Sequence, residues 1–87
     1  MTPFTLKISS PDGDRFCGEI AKLSLRGTEG ELAVMAGHVP FITAVVAGDC
    51  RIELADGTVR TGRTDGGMLT VGKEQTVLLS GSFTWRE

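Results

Sequence analysis

A chain of 87 residues holds one domain, and a domain that small buries only about 60–65% of the surface its unfolded chain exposes, so a partner surface could add to its stability. Nine Lys and Arg stand against eleven Asp and Glu, giving a net charge of −2; the charges are scattered, with no basic run to meet nucleic acid. The start, Met1-Thr2-Pro3-Phe4, has neither the charged nor the apolar region of a secretory leader, and the longest apolar stretch, 39–48, is too short to cross a bilayer.

Twelve glycines break the sequence into short runs of Val, Ile, Leu, Thr and Phe, the pattern of an all-β sandwich or barrel. In the first run Phe4, Leu6 and Ile8 point to one face, and Thr5, Lys7 and Ser9 to the other. Pro11-Asp12-Gly13 turns the chain. Over 15–25 the apolar residues move from even positions (Phe16, Ile20) to odd ones (Leu23, Leu25). A phase switch near Ala21 predicts a bulge, or a strand that passes from one sheet to the other.

Gly27-Thr28-Glu29-Gly30 reads as a turn, 31–35 as a short strand and Ala36-Gly37-His38 as a loop. The following run, 39–46, is apolar on both faces, so one side can meet a second layer or a partner. Pro40 cannot donate to a ladder, which puts it at a strand start or an edge. Residues 49–61 predict a hairpin: Cys50, Ile52 and Leu54 alternate with Arg51 and Glu53, and Asp56-Gly57 suits a tight turn in which both residues take positive φ. Asp65-Gly66-Gly67 and Gly72-Lys73-Glu74 read as turns flanking a strand over 68–71, and 75–79 reads as the last strand. No helix of useful length, repeat or linker is present in this reading, and residues 1–87 form a single domain.

Chemical constellations are missing. His38 is the one histidine, with no nucleophile-elbow motif around it. Cys17 and Cys50 lack metal-ligand spacing; one disulfide between them is formally allowed, but they read as two small buried hydrophobes in a reduced compartment. No glycine-rich turn ends in the Lys-Ser/Thr of a phosphate loop. The expectation is therefore no catalytic residue, no metal and no cofactor.

The stretch Gly27-Thr28-Glu29-Gly30-Glu31, a short apolar segment and then Ala36-Gly37-His38-Val39-Pro40 resembles the signature of the ATP synthase epsilon subunit family, departing at Ala36 for proline and at Val39 for alanine. Pro11-Asp12-Gly13, Gly18-Glu19, Leu23-Ser24-Leu25, Phe41-Ile42-Thr43-Ala44, Gly66-Gly67-Met68-Leu69-Thr70-Val71 and Thr76-Val77-Leu78-Leu79 resemble further family segments in order and spacing. The resemblance covers about residues 4–80. It implies a flattened β-sandwich of two antiparallel five-stranded sheets, about ten short strands in all. It also implies a non-catalytic rotor part of the central stalk, which binds the gamma subunit and docks on the c-ring, reaches the catalytic head indirectly, and couples ion-driven rotation to ATP synthesis. Such a subunit sits peripherally on the cytoplasmic face of a bacterial inner membrane, without inserting into it.

By family position Glu31 and His38 are the expected c-ring contacts, in preference to the alternative that both side chains are solvated beside the turns set by Gly30 and Gly37. Phe41, Ile42, Val45, Met68 and Leu69 are divided between core and gamma surface according to which face points inward. Trp85 reads either as part of a frayed tail or as packed over the sandwich or on gamma. Most family members continue into an inhibitory helical hairpin. The ending Gly81-Ser82-Phe83-Thr84-Trp85-Arg86-Glu87 does not resemble its entry, so the sequence reads as a naturally short form without that brake. The competing functions are a β-sandwich interaction module for another partner and, third, a small hydrolase.

Overall fold

Alternation in the first run does produce a strand. In the computed structural model, which describes residues 3–37 and 39–86, β1 (Phe4–Ser10) buries Leu6 and Ile8 completely and keeps Lys7 and Ser9 partly in solvent. Six more strands follow: β2 (Gly13–Gly27), β3 (Gly30–Met35), β4 (Phe41–Leu54), β5 (Val59–Val71), β6 (Gln75–Ser80) and β7 (Phe83–Trp85). They pair in the order β1-β6-β5-β4-β2-β3, β1 also pairs β2 to close the ring, and β7 adds to β5. All these pairs are antiparallel except β1–β6, which is parallel.

The count of about ten strands is corrected to seven, and the reason is that three of them are long. β2, β4 and β5 each bend from one layer into the other, so each supplies a segment to both. The first layer holds β7, residues 59–64 of β5, residues 49–54 of β4, residues 22–27 of β2, and β3. The second holds residues 41–46 of β4, residues 66–71 of β5, β6, β1, and residues 13–20 of β2. Each layer is thus five segments wide.

The bends are visible in the burial phase. β2 buries Ile20, then Leu23 and Leu25, and its register against β4 shifts between Ile20 and Lys22, where the sequence predicts a switch. β4 buries Val45, then Cys50 and Ile52, while β5 buries Gly62 and Thr64, then Leu69 and Val71. No register shift separates Phe41↔Val71 from Glu53↔Val59, so β4 and β5 bend together as one ribbon. Asp65-Gly66-Gly67 is therefore not a turn between strands but the bend inside β5. Gly66 and Gly67 have φ of 113° and 158° there, and a Cβ on Gly67 would run into the carbonyl oxygen of Leu79.

The β4–β5 hairpin closes around the expected residues by a different turn. Gly57 N–H donates to the Leu54 carbonyl at 3.0 Å and Leu54 N–H to the Thr58 carbonyl at 2.7 Å. Gly57 alone takes positive φ, 91°, while Asp56 does not. Asp56 instead accepts the Thr58 N–H on its carboxylate at 2.8 Å, and that backbone hydrogen bond holds its pKa below the ordinary value. A short polar side chain that bonds the backbone two residues on makes the turn without a second positive φ.

Both layers feed one core, with Leu6, Ile8, Leu69 and Leu78 from the second and Leu23, Cys50, Ile52 and Phe83 from the first. Both cysteines are free; Cys50 is buried, but Cys17 is exposed, against the expectation that both are interior. Cys17 sits opposite Lys7, on the odd, outward positions of this half of β2, where Phe16, Gly18 and Ile20 are the inward ones.

Candidate functional site

The two layers turn different surfaces outward. On the second, β4 presents Ile42 and Ala44, β5 presents Met68 and Thr70, and β6 presents Val77 and Leu79. The register sets them side by side: Ala44, Met68 and Leu79 form one row, and Ile42, Thr70 and Val77 the next. Ile42 is 68% exposed, Leu79 52% and Met68 42%. Large apolar side chains scattered singly are ordinary on a protein surface, whereas neighbouring ones form a patch that marks a contact.

Of the five apolar candidates read from the sequence, only Ile42 and Met68 share this face. Val45 and Leu69 lie in the core at 5% and 0% exposure, so their side chains have no route to a partner, and Phe41 is half-buried against the same core. Leu79 was not singled out in the sequence because Thr76-Val77-Leu78-Leu79 is too uniformly apolar to reveal a face. The polar ends of β6 point the wrong way as well: Thr76 and Ser80 share their parity with Leu78 and would assign that face to solvent, yet all three are buried and Leu79 lies outside.

Trp85 is packed over the sandwich, which sets aside the frayed-tail alternative. Its ring stands edge-on to Phe83 at 5.0 Å and to Phe16 at 5.9 Å between centroids. The Arg60 guanidinium lies 3.7 Å over it, and Nε1–H donates to the Arg15 carbonyl at 3.4 Å. β7 is held against β5 through Gly62↔Trp85 and Thr64↔Phe83. The indole spans the opening between β7 in one layer and the edge of β2 in the other.

Glu31 is exposed at the start of β3, opposite Arg26 and beside Asp49 and Arg63. His38 lies outside the described residues. Gly37, just before it, is beyond the far end of β3, close to Phe4, Val71 and Thr76. The strand expected over 31–35 is present within β3, and its residues 32–35, about 13 Å of chain, separate Glu31 from the turn that holds Gly37.

The first layer's outer face is mainly polar, with Met35 and Val59 exposed in the row of Lys22 and Glu53. Lys22, Ser24 and Arg26 on β2, Asp49, Arg51 and Glu53 on β4, and Arg63 on β5 occupy it, with Glu31 alongside. Asp49 Oδ1 accepts from Arg86 at 2.8 Å and lies 3.6 Å from Arg63. Among the described residues no group of His, Cys, Asp and Glu could hold a metal, and no helix is long and apolar enough to cross a membrane. Burial raises the Cys50 thiol to about 11, the opposite of an activated nucleophile. What this arrangement offers is surface for binding.

Residues 3–86 match the family described as ATP synthase, Delta/Epsilon chain, beta-sandwich domain. The sequence is 38% identical over 84 residues to the sodium ion specific ATP synthase epsilon chain of Acetobacterium woodii, covering 97% of this chain and 63% of that protein. It is 33% identical over 79 residues to the ATP synthase epsilon chain of Dichelobacter nodosus, covering 91% of this chain and 55% of that one. The fold is shared with a chain of the Euglena gracilis mitochondrial ATP synthase, in a cryo-EM structure of its OSCP/F1/c-ring, at a TM-score of 0.91 and 20% identity; the likeness covers 98% of this chain and 54% of that one. The chain spans 63% and 55% of the length of these two curated relatives, less than two thirds of each.

Proposed function

The chain belongs to the ATP synthase delta/epsilon family, as its β-sandwich domain, and we propose on that premise that it is a non-catalytic rotor element of the central stalk. It binds the gamma subunit through the outer face of the second layer and docks on the c-ring with Glu31 and His38, coupling ring rotation to ATP synthesis at the cytoplasmic face of a bacterial inner membrane. The observation that carries the reading is the exposed apolar residues of two neighbouring rows, Met68 and Leu79 in one and Ile42 in the next, on a domain whose core closes without them. Covering these residues on binding would contribute about 25 cal/mol for each Å² of apolar surface removed from water.

Affinity purification of the tagged chain from its native membranes tests the proposal. Gamma and the c-ring should co-purify, and Met68→Lys should release the chain from gamma while leaving its thermal unfolding unchanged. Recovery of the wild-type chain with a different partner and with neither stalk component would replace this reading by that of an interaction module. For the ring contact, a Glu31→Cys variant lacking Cys17 and Cys50 should cross-link to a cysteine in the c-ring polar loop; failure at every loop position in an assembled complex would remove Glu31 from the contact.

A further inference from the structure

Charge divides unequally over the molecule. The outer face of the first layer gathers Lys22, Arg26, Arg51, Arg63 and Arg86 against Glu31, Asp49 and Glu53, an excess of two positive charges in a chain of net charge −2. Arg63 and Arg86 are committed to Asp49. Lys22, Arg26 and Arg51 form no ion pair with a described residue.

Two of these cations, Lys22 and Arg51, line a depression whose floor includes Leu25, Leu32 and Ala33. The β2–β4 pairing lapses between Ser24↔Arg51 and Gly27↔Val45, and a hollow of about 470 Å³ opens there, lined by Lys22, Ser24, Glu31, Asp49 and Arg51. An adjoining hollow of about 380 Å³ adds Arg26. A partly enclosed site with unpaired guanidinium forks suits a planar oxyanion, because charge-assisted and bidentate hydrogen bonds are the stronger ones.

We infer that this face is a further interaction surface, separate from the apolar one and continuous with the contact proposed at Glu31, and that its occupant is a carboxylate-bearing loop of a protein partner within the assembly. The inference rests on the stalk reading for the existence of that assembly. A bilayer of anionic headgroups fits less well. Glu31, Asp49 and Glu53 are interleaved with the cations and would face a continuous negative surface, and the outer positions here carry no aromatic anchor. A loop with spaced acidic residues can place each carboxylate beside a cation and leave the interleaved acids to its own basic or neutral positions.

The test measures binding of the full chain to the ATP synthase complex stripped of it. Lys22→Glu/Arg26→Glu/Arg51→Glu should bind at least about tenfold more weakly than wild type at about 50 mM NaCl, with the difference narrowing to roughly twofold at about 500 mM as salt screens the contact. Lys22→Gln/Arg26→Gln/Arg51→Gln, milder toward folding, should shift in the same direction, and circular dichroism checks both folds. A photo-reactive residue at position 24 should cross-link to a partner segment containing Asp or Glu. Equal binding of wild type and both variants at low salt overturns the inference and leaves the stalk reading standing, whereas a wild-type chain that does not rebind overturns both. Binding to phosphatidylserine vesicles that the variants lose, with complex binding unchanged, or a cross-link to lipid, overturns the protein partner in favour of the membrane.

Discussion

Gly62 lies under the ring of Phe83, which occupies the space a Cβ would need. This close approach lets β7 lie flat on β5 and brings Trp85 over Phe16. Gly62→Ala should destabilise the fold by about 1–3 kcal/mol, the usual range for forcing a methyl into a filled core. In urea unfolding the loss should be much smaller when Phe83→Ala is already present, because neighbouring changes couple; strict additivity would show that the ring does not rest on Gly62. Cys50 supports a pH prediction. Its thiol is raised from 9.0 to about 11, first by burial and then by the nearby Asp49 charge. Above about pH 9 the unfolded thiol ionises while the folded one keeps its proton. The folded state then binds more protons, and stability falls as pH rises until the folded thiol ionises near 11. Relative to Cys50→Ala, wild type should lose up to roughly 2–3 kcal/mol across that window, with no tyrosine in the chain to titrate there; parallel pH profiles for the two proteins would refute it. Neither residue could be assigned its role from sequence, since a glycine shows nothing of the ring that will cover it and Cys17 and Cys50 differ only in the phase of their strands.

In the β4–β5 ribbon, local and tertiary determinants can be told apart. The hairpin was legible because Asp56-Gly57 sits between alternating runs, and the phase switch in β2 was legible because Ile20 and Leu23 have opposite parity. The bend in β5 was misread as a turn. A glycine pair at positive φ serves a reversal and a bend equally well, and what decides is whether β4 reverses with it, which is a property of the pairing. β7 was missed because three residues are too few to show alternation, and their strand depends on β5 as a template. The two glycine sites should therefore respond differently. Gly57 has open space around its missing side chain, so Gly57→Ala should cost only the left-handed backbone penalty, about 1–2 kcal/mol. Gly67→Ala adds a collision with backbone, at the Leu79 carbonyl, and should cost more than about 3 kcal/mol. It should also lower hydrogen-exchange protection in β6, whose ladder against β5 starts at Gly67↔Ser80. Equal losses at the two positions would mean that the bend is not fixed by that contact.

At the scale of the whole molecule, the two outer faces differ because β4 and β5 change sides. Ile42 and Met68 emerge on the second layer while Arg51 and Arg63, on the same two strands, emerge on the first. Sequence alone could mark this surface as doubly apolar but could not say which residues face out, because the inward parity reverses within each strand. The segment after β6 is equally specified by tertiary structure. Phe83 is in the core, Trp85 is enclosed by Phe16, Phe83 and Arg60, and Arg86 donates its backbone N–H to the Thr61 carbonyl at 2.9 Å and its guanidinium to Asp49 at 2.8 Å. These residues form a strand fastened to β5. Releasing them into a helix would expose Phe83 and forfeit two edge-on aromatic contacts, each about 0.5–1.5 kcal/mol beyond its buried area, together with a cation–π contact of about 0.5–1 kcal/mol. The hydrolysis brake implied for family members resides in a mobile helical hairpin, and residues 83–86 supply no part of one. Under the stalk reading proposed above, residues 1–87 on their own should bind a gamma-containing catalytic head without lowering its ATPase rate at any ATP concentration, and Trp85→Ala should weaken the sandwich without altering that rate. Strong inhibition by the wild-type chain, relieved as ATP is raised, would place a brake in the sandwich itself.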